Sequence, residues 1–283
     1  MSATVVCTIA ELRQSLCEAR RQGRRIGCVP TMGALHAGHA SLIQRARADT
    51  DVVVVTIFVN PIQFDRREDY ERYARNLDAD RALCESLGVD LIFAPSVEEM
   101  YPRSPATFVE SPRLAEHLCG SFRPGHFRGV ATVVAKLFNM VQPDVAYFGE
   151  KDAQQLAIIE HMVEDLNFPV TIVRVATVRE PDGLALSSRN QRLSPEERAQ
   201  APALYAALCE ARRLLLSGER SAVRLRRAVL DHLSRYPLIR PEYVEVVDRQ
   251  MQPVEEVRST VRIAAAIWLG DTRLIDNLEC PLP

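Results

Sequence analysis

Two histidines, His36 and His39, follow a Pro30-Thr31-Met32-Gly33 turn, with Ala37 and Gly38 between them. An apolar run leads into the turn and a helical stretch leads out of it, so both imidazoles stand at the start of a helix. A helix N-terminus presents unpaired N–H groups and partial positive charge, the conditions that hold a phosphate. Gly38 leaves out a side chain where a phosphate would approach the backbone, and residues three apart on a helix share a face. The plain alternative is a pair of surface histidines at a helix cap. A zinc pair is the poorer alternative, because no Cys or carboxylate partner lies nearby in sequence.

The elements that must position these residues are legible in the apolar pattern. Continuous apolar runs at Ile26–Val29, Val52–Val59, Asp90–Phe93, Val145–Phe148 and Val170–Val175 read as strands buried on both faces. Ala40–Ala48, Leu77–Leu87, Val130–Met140 and Ala153–Leu166 read as the helices between them. Alternating strands and helices predict a parallel sheet covered by helices on both faces, a Rossmann-like α/β fold whose strand–loop–helix turns are its ligand sites. After about Ala176 the pattern changes. A Pro181-Asp182-Gly183 turn precedes a Ser/Arg/Asn-rich loop, Ser194-Pro195-Glu196-Glu197 opens a helix over Glu196–Leu216, and a second helix covers Ala222–Ser234. Tyr243–Val247 and Val261–Trp268 read as strands of a small sheet. The expected division is therefore 1–176, the Rossmann-like α/β domain, and 177–283, a smaller C-terminal α+β domain.

Composition bounds the function. With 283 residues, 35 Lys+Arg against 37 Asp+Glu and 47% hydrophobic residues, the chain can bury a core and shows no basic field for nucleic acid. No apolar run reaches the roughly 18 residues that span a bilayer, and the N-terminus lacks a signal-peptide pattern. The seven cysteines are scattered without a C-x-x-C pair, which points to reduced, buried thiols and a cytoplasmic location.

Four further stretches sharpen the reading: Phe58-Val-Asn60-Pro-Ile-Gln63-Phe64; Cys119-Gly-Ser-Phe-Arg123-Pro-Gly-His126-Phe-Arg128-Gly-Val130; Phe148-Gly149-Glu-Lys151-Asp152-Ala-Gln-Gln155; and Arg179-Glu-Pro-Asp-Gly-Leu-Ala-Leu-Ser187-Ser188-Arg189-Asn190. The His-x-Gly-His segment resembles the His-Ile-Gly-His signature of the nucleotidyltransferase superfamily. Together, and in this order, the stretches resemble the pantothenate synthetase family, AMP-forming pantoate–β-alanine ligases, over essentially the whole chain. Ala37 stands where the family commonly has Glu, Leu186 where it has Met, and Ala74-Arg75-Asn76 where it has Pro-Arg-Thr. That last departure leaves Asp78 and Asp80 without an assigned role.

The resemblance implies ATP-driven condensation of pantoate with β-alanine through a pantoyl-adenylate, with Mg²⁺ as cofactor, unassigned metal ligands and a homodimer. It implies that His36 and His39 donate to the α-phosphate, that Lys151 brings a point charge to the phosphates, and that Ser187, Ser188 and Arg189 wrap the β- and γ-phosphates. Thr31, Met32, Gly38 and Gly149 would line the nucleotide. Asp152 would bind ribose or help hold Mg²⁺. Asn60, Gln63 and Gln155 would hydrogen-bond pantoate as neutral amides, and Arg123 would hold a substrate anion or pyrophosphate. Residues 1–176 would bind ATP and pantoate, and the smaller C-terminal domain would act as a lid, its Ser187–Asn190 loop mobile and closing on ATP. Each residue has a plainer alternative: loop capping for the amides, a helix cap for Asp152, a solvated surface position for Lys151, a polar interdomain loop for Ser187–Asn190. A cytidylyl- or adenylyltransferase on the same fold would need basic residues for an acceptor phosphate where Asn60, Gln63 and Gln155 stand. A non-catalytic nucleotide-binding module would not need Lys151 or the histidines.

Overall fold

In a computed structural model that describes residues 3–282, the apolar runs of the first part of the chain lie side by side. The strands are β1 (Thr4–Val6), β2 (Ile26–Thr31), β3 (Val52–Ile57), β4 (Leu91–Phe93), β5 (Val145–Gly149) and β6 (Thr171–Val175). All pair in parallel, in the order β1-β4-β3-β2-β5-β6. The longer helices of this part are α1 (Ile9–Arg21), α2 (Ala37–Asp49), α3 (Leu77–Ser86), α4 (His126–Val141) and α5 (Ala153–Asp165). From β2 the chain runs leftward to β3 and β4 through α2 and α3, and then returns across the sheet to β5. With right-handed crossovers, the carboxyl ends of β2 and β5 form the switch point where open α/β sheets bind ligands.

Alternation on the strands sorts the core. Val29, Val53, Val55 and Ile92 pack with Leu42, Ile43 and Ala46 of α2 in one apolar cluster. Cys28, Val52 and Val54 point the other way and are buried too, as a sheet covered on both faces requires. β6 departs from the expected two-sided burial: it is the sheet edge, so Thr171 and Arg174 face solvent, and Arg174 pairs with Glu160 at 2.6 Å.

The chain divides into two units. The first takes the chain up to Ser111, Arg123–Glu150 and Ile158–Ala176; the second takes Pro112–Phe122, Lys151–Ala157 and everything from Thr177. The single cut expected at residue 176 leaves out two short segments of the second unit, which Gln154 ties together. Its buried amide accepts from Cys119 N at 3.0 Å and donates to the carbonyls of Leu114 (2.8 Å) and His117 (2.7 Å).

The second unit holds α6 (Pro195–Gln200), α7 (Ala203–Leu216), α8 (Ala222–Leu233) and the antiparallel sheet β7 (Ile239–Val247), β8 (Val261–Leu269) and β9 (Thr272–Cys280). Its core joins Leu204, Leu208 and Leu215 of α7 to Leu225, Val229 and Leu233 of α8 and Ile263 and Ile267 of β8. The helix expected over 196–216 is two helices, because Pro202 brings no N–H to continue α6 and its ring opposes a straight run. The reading of buried cysteines also needs correction: all seven are free, but Cys7 and Cys17 are exposed and Cys209 is half-buried. Burial pushes the Cys28 thiol up to about 12. No helix among the described residues is long and apolar enough to cross a membrane.

Candidate active site

The β2–α2 turn is fixed by two side chains, Thr31 and Asp80. Thr31 donates its hydroxyl to Thr56 O at 2.7 Å and accepts from Gly33 N at 3.2 Å. Gly33 takes φ +81°, and a Cβ there would meet an Asp80 carboxylate oxygen at 2.8 Å, so the position needs glycine. Asp80 is 3% exposed, and its two oxygens accept from Ala34 N at 3.0 Å and Leu35 N at 2.7 Å. A buried carboxylate thus holds the turn that delivers His36.

The histidines meet by mutual capping rather than by helix spacing alone. His36 is the N-cap of α2, and its Nδ1 accepts from Gly38 N at 3.1 Å. His39 Nδ1 reaches back to accept from His36 N at 3.2 Å. The ring centroids lie 4.2 Å apart. A backbone N–H can only donate, so both Nδ1 atoms are acceptors and the ring proton of each neutral imidazole sits on Nε2. The fold therefore presets two Nε2–H donors at a helix N-terminus beside the switch point.

The Asn60–Gln63 turn packs on α4. A Cβ on Gly129 of α4 would meet Ile62 O at 2.4 Å, so the glycine permits the close approach. Asn60 is fully buried: Nδ2 donates to Gly129 O and Gln63 Oε1, both at 3.0 Å, and Oδ1 accepts from Tyr101 Oη at 2.9 Å. Burial pushes the Tyr101 phenol up, which keeps it a neutral donor. Gln63 donates Nε2 to Met32 Sδ at 2.9 Å, linking this turn to the β2–α2 turn. Arg123, expected to hold an anion, is already ion-paired with Asp65 at 2.9 Å. Burial raises the Asp65 carboxyl, and the Arg123 charge and hydrogen bond outweigh it, leaving the group below its ordinary value. Arg123 also donates to His126 Nε2 at 3.1 Å, so His126 carries its proton on Nδ1 and donates to Gln63 O at 2.7 Å.

The remaining residues lie around β5 and in the second unit. Gly149 closes β5 with open space where a Cβ would be. Lys151 and Asp152 follow in a 3₁₀ turn over Glu150–Asp152, Asp152 exposed, and half-buried Gln155 lies in the first turn of α5. Ser187 caps a 3₁₀ turn, Ser188–Arg192, its hydroxyl accepting from Arg189 N at 3.3 Å. Residues 178–186 form a small hairpin, with Leu186 N donating to Val178 O at 3.0 Å, an Arg179–Ala185 bridge, and Leu184 and Ala185 buried. Arg179 forms a bidentate pair with Asp276 at 2.5 and 2.9 Å.

Comparison with known proteins settles the kinship. The family model for pantoate-beta-alanine ligase matches residues 4–279. The chain belongs to the pantoate–β-alanine ligase family. It is accordingly an enzyme, and the ligation of pantoate with β-alanine is the reaction of its family. The pantothenate synthetase of Thermotoga neapolitana is 55% identical over 274 residues, 96% of this chain and 98% of the relative. That of Moorella thermoacetica is 53% identical over 272 residues, 96% of each chain. The crystal structure of the Thermus thermophilus enzyme aligns with TM-score 0.93 at 50% identity, over 98% of this chain and 99% of that one. The Francisella tularensis ligase, solved with beta-gamma ATP and β-alanine, aligns with TM-score 0.81 at 35% identity, over 98% and 97% of the two chains.

Sequence reasoning missed Asp80, Tyr101 and Gly129. An acidic residue in the first turn of α3 reads as a helix-dipole partner, and only the fold brings it to the β2–α2 turn. Asp80→Ala removes the charged acceptor of two part-buried N–H groups, each such hydrogen bond contributing about 1.5–3 kcal/mol, so the expected loss of stability is about 2–5 kcal/mol. Turnover of the remaining folded enzyme should fall, because His36 loses its support. Chemical denaturation with activity on the same samples checks this, and an unchanged midpoint contradicts it.

Proposed function

We propose that this chain joins pantoate to β-alanine in two chemical steps driven by ATP. A pantoate carboxylate oxygen attacks the α-phosphorus of ATP, the bond to the bridging oxygen breaks, and pyrophosphate leaves. The β-alanine nitrogen then attacks the carbonyl carbon of pantoyl-adenylate, loses a proton, and AMP leaves with the carbon–oxygen bond. A free carboxylate would have to expel oxide, whereas AMP is a competent leaving group.

The observation that carries this reading is the reciprocal cap of His36 and His39. The first step joins two anions, and its transition state gathers charge on phosphate oxygens, where preset donors act most strongly. His36 and His39 supply Nε2–H donors to the α-phosphate, while the α2 N-terminus at Gly38, with Thr31 and Met32, receives the nucleotide. Lys151 supplies a point charge to the phosphates beside Gly149, Asp152 binds ribose or helps hold Mg²⁺, and Ser187, Ser188 and Arg189 hold the outer phosphates. Gln63 and Gln155 hydrogen-bond pantoate. Asn60, which is buried, acts through Gln63, and Arg123, paired with Asp65, acts on the Gln63 carbonyl through His126.

Among the described residues no group of three or more His, Cys, Asp or Glu side chains forms a metal cage. That suits Mg²⁺ bound mainly through substrate phosphates with at most one or two carboxylates, of which exposed Asp152 is the candidate. Mg²⁺ would neutralise phosphate charge. The enzyme is proposed to work in the cytoplasm as a homodimer.

Pantoate carrying ¹⁸O in its carboxylate tests the acyl-adenylate. One labelled oxygen should appear in AMP, because the carbon–oxygen bond of the adenylate breaks on the carbon side. Label confined to pantothenate contradicts the mechanism.

A further inference from the structure

Asp276 and Asn277 are neighbours on β9 and both are buried, at 3% and 6% exposure. Strand alternation sends consecutive side chains to opposite faces. Asp276 falls on the face of Leu274 and Cys280, which belongs to the apolar core of the second unit, and it is the charged exception on that face. Its carboxylate takes the Arg179 guanidinium, which lies 3.7 Å over the Tyr205 ring and donates to Gly183 O at 3.1 Å. Gly183 sits at φ +93°, where a Cβ would meet Tyr205 at 2.6 Å. The 178–186 hairpin is thereby clamped immediately before Ser187.

Asn277 points the other way. Its Nδ2 donates to Lys151 O at 2.9 Å. Its Oδ1 accepts from Arg262, which also pairs with Glu279. A guanidinium only donates, so Arg262 fixes which end of the Asn277 amide is oxygen and leaves Nδ2 for Lys151. One dipeptide thus grips the backbone that carries Lys151 and the hairpin that carries Ser187, Ser188 and Arg189.

We propose that Asp276 and Asn277 are positioning residues for ATP, setting the spacing of Lys151 from the Ser187-Ser188-Arg189 turn. The proposal rests on the ligase reading above, in which both segments meet the phosphates. Both act through the protein groups they bond. Their chemistry is rigid placement, which matters because misplacing a charge by a fraction of an ångström weakens transition-state contacts far more than it weakens the fold.

The test compares Asn277→Ala and Asp276→Asn with Ile275→Ala, a control that trims packing on the same strand. For each, steady-state pyrophosphate release is titrated separately with ATP and pantoate. ATP affinity is measured by calorimetry without acid, and folding is followed by thermal melting. Asn277→Ala should raise KM for ATP and weaken ATP binding by about tenfold, the scale of one lost positioning hydrogen bond, with KM for pantoate little changed. Ile275→Ala should lower the melting temperature without splitting the two KM values. Asp276→Asn should show the ATP-specific loss together with lower stability, since it breaks a buried pair; if it does not fold, Asn277→Ala decides. Unchanged ATP affinity in a folded Asn277→Ala overturns the proposal. Wild-type protein that binds ATP but releases no pyrophosphate with pantoate overturns the ligase reading instead, and the ATP affinities of the variants still judge the positioning role.

Discussion

His39→Ala is expected to slow pyrophosphate release from ATP and pantoate by about 100- to 1,000-fold, the cost of removing one preset donor from a developing oxyanion. The proposed mechanism gives this residue one task, as an Nε2–H donor to the α-phosphate, and the structure shows a second, since its Nδ1 caps His36 N at 3.2 Å. Losing the cap alone costs about 1 kcal/mol of helix stability, far short of unfolding the protein, so the rate should fall much further than the stability. His36→Ala should behave alike, because it removes a donor and the acceptor for Gly38 N. The double variant should be little slower than either single one, as expected of groups that act as a unit. Rapid-quench measurement at saturating substrates, with circular dichroism on the same preparations, makes the comparison. Near-normal turnover in both single variants would remove the pair from the mechanism.

Lys151→Ala is expected to lower kcat/KM for ATP by about 1,000-fold, a loss of about 4 kcal/mol of transition-state stabilisation, while pantoate still binds in the absence of ATP. Lys151 follows the open end of β5 and its own carbonyl is held by Asn277, so the backbone is fixed and the long side chain supplies the charge. Lys151→Arg should recover only part of the loss, because a planar guanidinium fork does not place its charge as a compact ammonium does. Calorimetry with each substrate separately is the check. Pantoate binding lost with ATP binding intact would contradict the placement.

The strands of the parallel sheet and the His36–His39 turn were legible because burial on both faces leaves long apolar runs and because turn chemistry is local. Other features were illegible for stated reasons. β9 carries Asp276 and Asn277 in its middle, which breaks the apolar alternation that marks a strand. β1 has only three residues, and α1 announces itself mainly through a Thr8–Glu11 capping box. The reciprocal imidazole cap cannot be read from spacing, since His36 lies outside the helix whose face it was expected to share. Asn60 and Arg123 carry recognition-type side chains, and the sequence does not show that Asn60 is bonded to Gly129, Gln63 and Tyr101 or that Arg123 is paired with Asp65. Polar type shows what a residue can bond, and only packing shows what it does bond.

The most direct measurement is pyrophosphate release in a rapid-quench experiment with enzyme, ATP, Mg²⁺ and pantoate, first without β-alanine. Activation needs only the acid and ATP, so pyrophosphate should rise to about one per site and stall while the adenylate holds the site; added β-alanine should then restart release and yield pantothenate and AMP. Absence of a burst, with pyrophosphate appearing only when β-alanine is present, would contradict a separate adenylation step.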